Sequence, residues 1–269
     1  MKKKLLGLFM VATLAITTLV GCGSEPADDS ASTSDGAKVF TVGFDAEYPP
    51  YGYMDDNGEY VGFDLELAAA VCELEGWELV KKPINWDSKD MELNSESIDC
   101  IWNGFTINGR EDKYEWSIAY ADNSQVIVVA EDSGITSFAD LAGKKVGVQA
   151  ASAALDVLTD DEAQKELGDT FGELKQFSDY NVAFTELQAG ALDALAIDIG
   201  VANYQISSRG AGFVVLEEHL NAEQYGVGFK LGNTELRDII DKDLKVLTED
   251  GTVAELAEKY GITDAIILK

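Results

Sequence analysis

The chain has 269 residues, with 49 Asp or Glu against 20 Lys or Arg, for a formal net charge of −29. A field of that sign repels nucleic acid and anionic headgroups, which excludes a nucleic-acid role, and it mildly favours cationic solutes. Three cysteines and one histidine form no spaced Cys/His cluster, so neither a metal centre nor a cofactor is expected.

Lys2, Lys3 and Lys4 precede an apolar run from Leu5 to Val20, which has the size of a signal peptide and is short for a membrane span. The run ends in Leu19-Val20-Gly21-Cys22, which resembles the lipobox of bacterial lipoproteins. That resemblance implies that residues 1–21 are removed and that Cys22 carries a diacylglycerol anchor. More than one acyl chain is needed for stable anchoring, and such an anchor supplies them. Residues 22–37, rich in Ser, Asp, Ala and Gly, read as a flexible tether.

From Lys38 the pattern alternates strand and helix. Lys38–Phe44 is a predicted strand, followed by the turn-rich Tyr48-Pro49-Pro50-Tyr51-Gly52 and a turn at Asp55–Gly58. Leu67, Ala70, Val71 and Leu74 stand at helical spacing, which predicts a helix over Phe63–Glu75 closed by Gly76. A strand near Glu78–Lys82, a helix at Lys89–Asn94 and a strand at Asp99–Trp102 complete the first block. A second block restarts with strands at Gln125–Ala130, Lys145–Val148, Glu173–Phe177, Ala194–Ile197 and Phe213–Leu216, with helices between them. A strand over Tyr225–Lys230 and amphipathic helices at Glu235–Glu249 and Val253–Tyr260 end the chain. The expected class is α/β, with two Rossmann-like lobes and mostly parallel sheets. Lobe one takes residues 38–124 and 222–269 and lobe two residues 125–221, joined by a two-strand hinge. Cys72 and Cys100 read as small buried hydrophobes, with a disulfide left open, and His219 as a surface residue.

Four segments together resemble the extracellular solute-binding proteins for polar amino acids that serve ABC transporters. They are Val42–Tyr51, Gly62–Ala68, Ile98–Thr106 with Arg110, and the pair Val146–Ser152 and Leu192–Asp198. The resemblance implies a periplasmic-binding-protein-like fold that closes on its ligand like a flytrap. It also implies a monomer without catalysis, working with a permease and its ATPase at the outer face of the cell membrane. A cyclohexadienyl dehydratase-like enzyme on the same scaffold is the alternative, with Asp45 or Glu47 as its acid or base.

Gripping a free amino acid sets chemical requirements. Arg110 offers a bidentate fork for the α-carboxylate, and the helix starting near Ser152 offers backbone amides. Asp198, at a strand's C-terminal end, suits the ammonium, and the resemblance adds Thr106 with the backbone at Asn103 and Gly104. For the side chain, Asp45 supplies an anion, and Tyr48, Tyr51 and Trp86 an aromatic sandwich. These favour a cationic amino acid, then glutamine, with cystine also open. Asp64 and Glu66 read as capping and solvated residues of the first helix. The Thr106–Arg110 loop is one residue shorter than in many relatives, a gap that Gly109 is expected to accommodate, and Ala151 stands where glycine is common.

Overall fold

The computed structural model describes residues 37–161, 163–210 and 212–268. The signal segment, Cys22 and the tether up to residue 36 lie outside the described residues.

Two five-stranded sheets repeat one topology. In the first, Val39–Phe44 runs parallel to both Glu78–Pro83 and Cys100–Ile101, and the late strand Gly228–Phe229 returns antiparallel beside Cys100–Ile101. Glu115–Trp116 forms its edge. In the second, Lys145–Gln149 lies parallel between Glu173–Phe177 and Ala194–Asp198, and Gln125–Ala130 returns antiparallel beside Ala194–Asp198. Phe213–His219 forms that edge, with an irregularity between Val215 and His219. Val126, Ile127, Val128 and Val129 are all fully buried, which explains their unbroken β-branched run: this strand is covered on both faces.

The chain passes between the sheets at Ala121–Asn123 and Glu223–Tyr225, which pair antiparallel with Glu223 opposite Asn123. The strand expected over Tyr225–Lys230 is therefore two strands. Glu223–Tyr225 belongs to the crossing and Gly228–Phe229 to the first sheet.

Helix Thr234–Glu249 buries Leu236, Ile240, Leu244 and Leu247, spaced four, four and three residues apart, together with Asp243, and leaves most of its other charged residues to solvent. Each such leucine or isoleucine contributes roughly 1.5–3 kcal/mol on burial. This helix and Thr252–Tyr260 pack on Phe63–Glu75, which ends at Gly76 in the left-handed region, φ 67°. Cys72 and Cys100 are free and buried, and His219 is exposed. Glu66 bonds to Lys259 and Tyr260. Asp64 departs from its expected role: it caps nothing and is fully buried.

Candidate functional site

The carboxyl ends of parallel strands from both sheets converge, as expected for ligand sites in α/β sheets. Val39–Phe44 delivers Asp45, Cys100–Ile101 delivers Asn103 and Gly104, Lys145–Gln149 ends on Gln149, and Ala194–Asp198 ends on Asp198. Asp45, Tyr48, Tyr51, Trp86, Asn103, Thr106, Arg110, Ser152 and Asp198 are all buried.

One end of the site is acidic. Asp198 Oδ1 accepts from Asn123 Nδ2 and Gln125 Nε2, each at 2.8 Å, and from the Tyr225 hydroxyl. Glu223 Oε1 accepts from the same two amides at 2.7 and 2.8 Å, and from Thr106 Oγ1 at 2.9 Å. Two buried carboxylates thus share neutral donors, and neither is in an ion pair among the described residues. Burial first, and then the Glu223 charge, push Asp198 up to about 6. Because Thr106 spends its proton on Glu223, its oxygen keeps lone pairs for a cationic donor.

The opposite end is basic. Arg110 N donates to Ile107 O at 2.9 Å, closing a tight turn in which Gly109 has φ 76°. This left-handed residue is how the short loop delivers the guanidinium. Arg110 Nη2 donates to Asp156 Oδ2 at 2.7 Å, and Asp156 belongs to helix Ala153–Thr159, beside the second sheet. Lys89 Nζ donates to Ala151 O at 3.1 Å and lies 5.2 Å from the Trp86 ring centroid. Ser152 is spent locally: its hydroxyl donates to Gln149 O at 2.8 Å and accepts from Leu155 N at 3.2 Å as the helix cap. Ala151 has φ 55°, which explains why glycine is common at that position.

Between these ends Tyr48 and Trp86 lie 9° from parallel with centroids 6.5 Å apart, room for no more than one layer of side-chain atoms. Asp45 accepts from Gln149 Nε2 at 2.6 Å and from Glu47 N at 2.9 Å, and burial pushes it up to about 6. A cavity of about 400 Å³ opens beside Asp45 and Trp86, with Ser88 and Asp179 on its wall.

The family model of the bacterial extracellular solute-binding proteins, family 3, matches residues 40–263. The chain belongs to that family. Family 3 relatives include the L-cystine-binding protein TcyA of Bacillus subtilis, 30% identical over 97% of each chain. The arginine-binding extracellular protein ArtP of Bacillus subtilis is also 30% identical, over 97% of this chain and 98% of its own. Among solved structures, the substrate-binding protein of an ABC uptake transporter from Streptococcus pneumoniae with bound histidine superposes with a TM-score of 0.80. It is 34% identical and covers 85% of this chain and 94% of its own. Among the described residues of this family 3 chain, no helix is long and apolar enough to cross a membrane.

Tyr51 stands apart from the parallel pair. Its ring meets Tyr225 edge-on at 5.3 Å, so it walls the site rather than completing a sandwich. Asn103 and Gly104 also tie the site to its surroundings: Asn103 Oδ1 accepts from Asp45 N at 2.7 Å, and Gly104 N donates to the buried Asp64. Sequence reasoning missed Lys89, Asn123, Gln125, Gln149, Asp156 and Glu223. Gln149 carried a usable signal, lying inside the Val146–Ser152 segment at a strand end, whereas Lys89 sits among Asp87, Asp90 and Glu92 and reads as solvated.

Proposed function

We propose that this family 3 protein binds a polar L-amino acid between its two lobes and presents it to the permease and ATPase of an importer. Lobe one is residues 38–124 with 222–269 and lobe two is residues 125–221, and Ala121–Asn123 with Glu223–Tyr225 form the hinge. One observation carries the reading. Asp198 and Glu223 are buried together without a cation, while Arg110 is buried at the other end of the same cleft. A zwitterion supplies the missing charges: its ammonium meets Asp198 and the Thr106 oxygen, and its carboxylate meets Arg110. The ligand contacts both lobes, so it stabilises the closed form.

The slot between Tyr48 and Trp86, leading towards Asp45 and Gln149, favours a cationic side chain and then a carboxamide. Binding rather than turnover is the function. Asp45 is held by Gln149 and the Glu47 backbone, Glu47 is exposed and bonded to Asn181, and the acidic and basic ends of the cleft suit a zwitterion held rather than converted. The protein acts as a monomer held at the outer membrane face through an acylated Cys22, and loss of acyl label in Cys22→Ala tests the anchor.

Calorimetry against the standard amino acids and cystine tests the site. Sub-millimolar binding of a basic amino acid or glutamine is expected. Absence of binding by every polar amino acid overturns the reading, as does turnover of prephenate or arogenate.

A further inference from the structure

We propose that Lys89 is a second cation of the ligand site, which leaves the Ala151 carbonyl to share the ligand's α-carboxylate with Arg110. This rests on the amino-acid reading above and names a contact that the reading lacks.

Lys89 is only 4% exposed. It opens the short helix Lys89–Asn94 on lobe one, yet its ammonium crosses to lobe two, where Ala151 O is its hydrogen-bond partner at 3.1 Å. An ammonium has three donors and a strong need for an anion when desolvated. No carboxylate lies within ion-pair distance of Lys89 among the described residues. Its other neighbour is the Trp86 ring.

The surroundings sharpen this deficit. Burial, and then the positive charge of Arg110, pull the Lys89 ammonium down to about 8. Two buried cations therefore face one region of the cleft. The acids that face Lys89 are Asp90, then Asp156 and Asp87, none within ion-pair distance of it. The Asp156 side chain is 55% exposed and bonded to Arg110, and Asp90 accepts from the Tyr114 hydroxyl. The far end of the cleft has the opposite imbalance, with Asp198 and Glu223 uncompensated. An α-carboxylate has enough lone pairs for an Arg fork and an ammonium together. Ala151, the partner of Lys89, and Asp156, the partner of Arg110, stand just before and within the one helix Ala153–Thr159, which brings the two cations to the same element of lobe two. A lysine that only packed on Trp86 would need no charge, and a lysine that only latched the lobes would be indifferent to the ligand's carboxylate.

The test is a cycle between protein and ligand. Wild type, Lys89→Met and Lys89→Arg are titrated by calorimetry with L-arginine, L-histidine and L-glutamine, and with the α-carboxamide of each. Lys89→Met is expected to weaken the best-bound amino acid by at least ~30-fold, the lower range for removing one partner of a buried charge pair. For the matching α-carboxamide, whose carboxylate is gone, the variant and wild type should agree within about threefold, and Lys89→Arg should retain most of the affinity. Thermal melts without ligand establish that the Met variant folds. A Met variant that binds as wild type does, or that loses the amino acid and its carboxamide equally, overturns the proposal and leaves the amino-acid reading intact. Failure of wild type to bind any polar amino acid, cystine included, overturns both.

Discussion

Arg110 and Asp156 meet across the cleft, the guanidinium almost fully buried and the carboxylate more than half exposed, with Nη2 and Oδ2 2.7 Å apart. The asymmetry matters energetically. A carboxylate that stays hydrated gains little from the pair, about 1 kcal/mol or less, so a ligand carboxylate can displace or join it cheaply. The guanidinium has no such alternative.

The two partners should therefore differ in their effect on binding. Arg110→Met is expected to raise the Kd for the cognate amino acid by ~100-fold or more, since it leaves a ligand carboxylate buried without its fork. Asp156→Asn should change it by no more than about fivefold. Calorimetry on both variants decides this, and an Arg110→Met protein that binds normally would remove Arg110 from the site.

A pH dependence follows from Asp198, which burial and Glu223 raise from 3.8 to about 6. Because its folded value lies above the unfolded one, its contribution to the stability of the empty protein is present below 3.8 and lost as pH rises through about 6. The ligand ammonium reverses this by pairing with the ionised form. Affinity should be highest near pH 7 and fall below about 6, approaching tenfold per pH unit for each coupled carboxyl, Asp198 and, for a cationic side chain, Asp45. Ligand-induced thermal shifts should likewise be larger at pH 8 than at pH 5. Asp198→Asn should bind weakly and lose its own share of this acid limb, leaving the share of Asp45.

Asp64 predicts a second pH effect, this one on folding. Oδ2 accepts from Gly104 N and from the Tyr120 hydroxyl, while Oδ1 has no partner among the described residues, and burial pushes the carboxyl up to about 7. Its stabilising contribution is present below 3.8 and lost as pH rises through about 7. In urea melts, the stability of Asp64→Asn relative to wild type should improve from pH 5 to about 7 and level off by pH 8. Asp64→Ala should be worse at every pH, by about 1–3 kcal/mol for each donor left unpaired.

Asp64 also marks where legibility ended. The Gly62–Ala68 segment pointed to the right helix, but its acidic first turn looked like a cap because nothing nearby in sequence says that Gly104 and Tyr120 will need an acceptor. Asp198 and Arg110 were legible for a different reason. The resemblance singled them out, and the strand's carboxyl end and the turn after Thr106 give them the buried positions they take. Glu223 was not, since it meets Thr106 and Asn123 across 117 and 100 residues of chain. Lys89 was hidden by its acidic neighbours, which suit an exposed helix start. The repeated β/α order exposed the two sheets, whereas the short crossing strand Ala121–Asn123 carried too few residues to show a period.

Gly104 offers a test that separates backbone strain from crowding. It has φ 57°, and a Cβ there would lie 3.2 Å from each of the Tyr48, Tyr51 and Tyr225 rings. A left-handed alanine alone costs roughly 1–2 kcal/mol. The three rings add a second cost, because all are buried and cannot turn outward without opening the site. Gly58 is the control: φ is 83° with nothing within 4 Å of an added Cβ, and it lies in an exposed turn. Gly58→Ala should lower stability by about that backbone amount and leave the Kd unchanged. Gly104→Ala should lower stability further and raise the Kd about tenfold or more, since Tyr48 forms one wall of the proposed ligand slot and moves with the intruding methyl group. Equal losses in the two variants, with unchanged binding in both, would mean that the rings yield and that Gly104 is held only by its backbone.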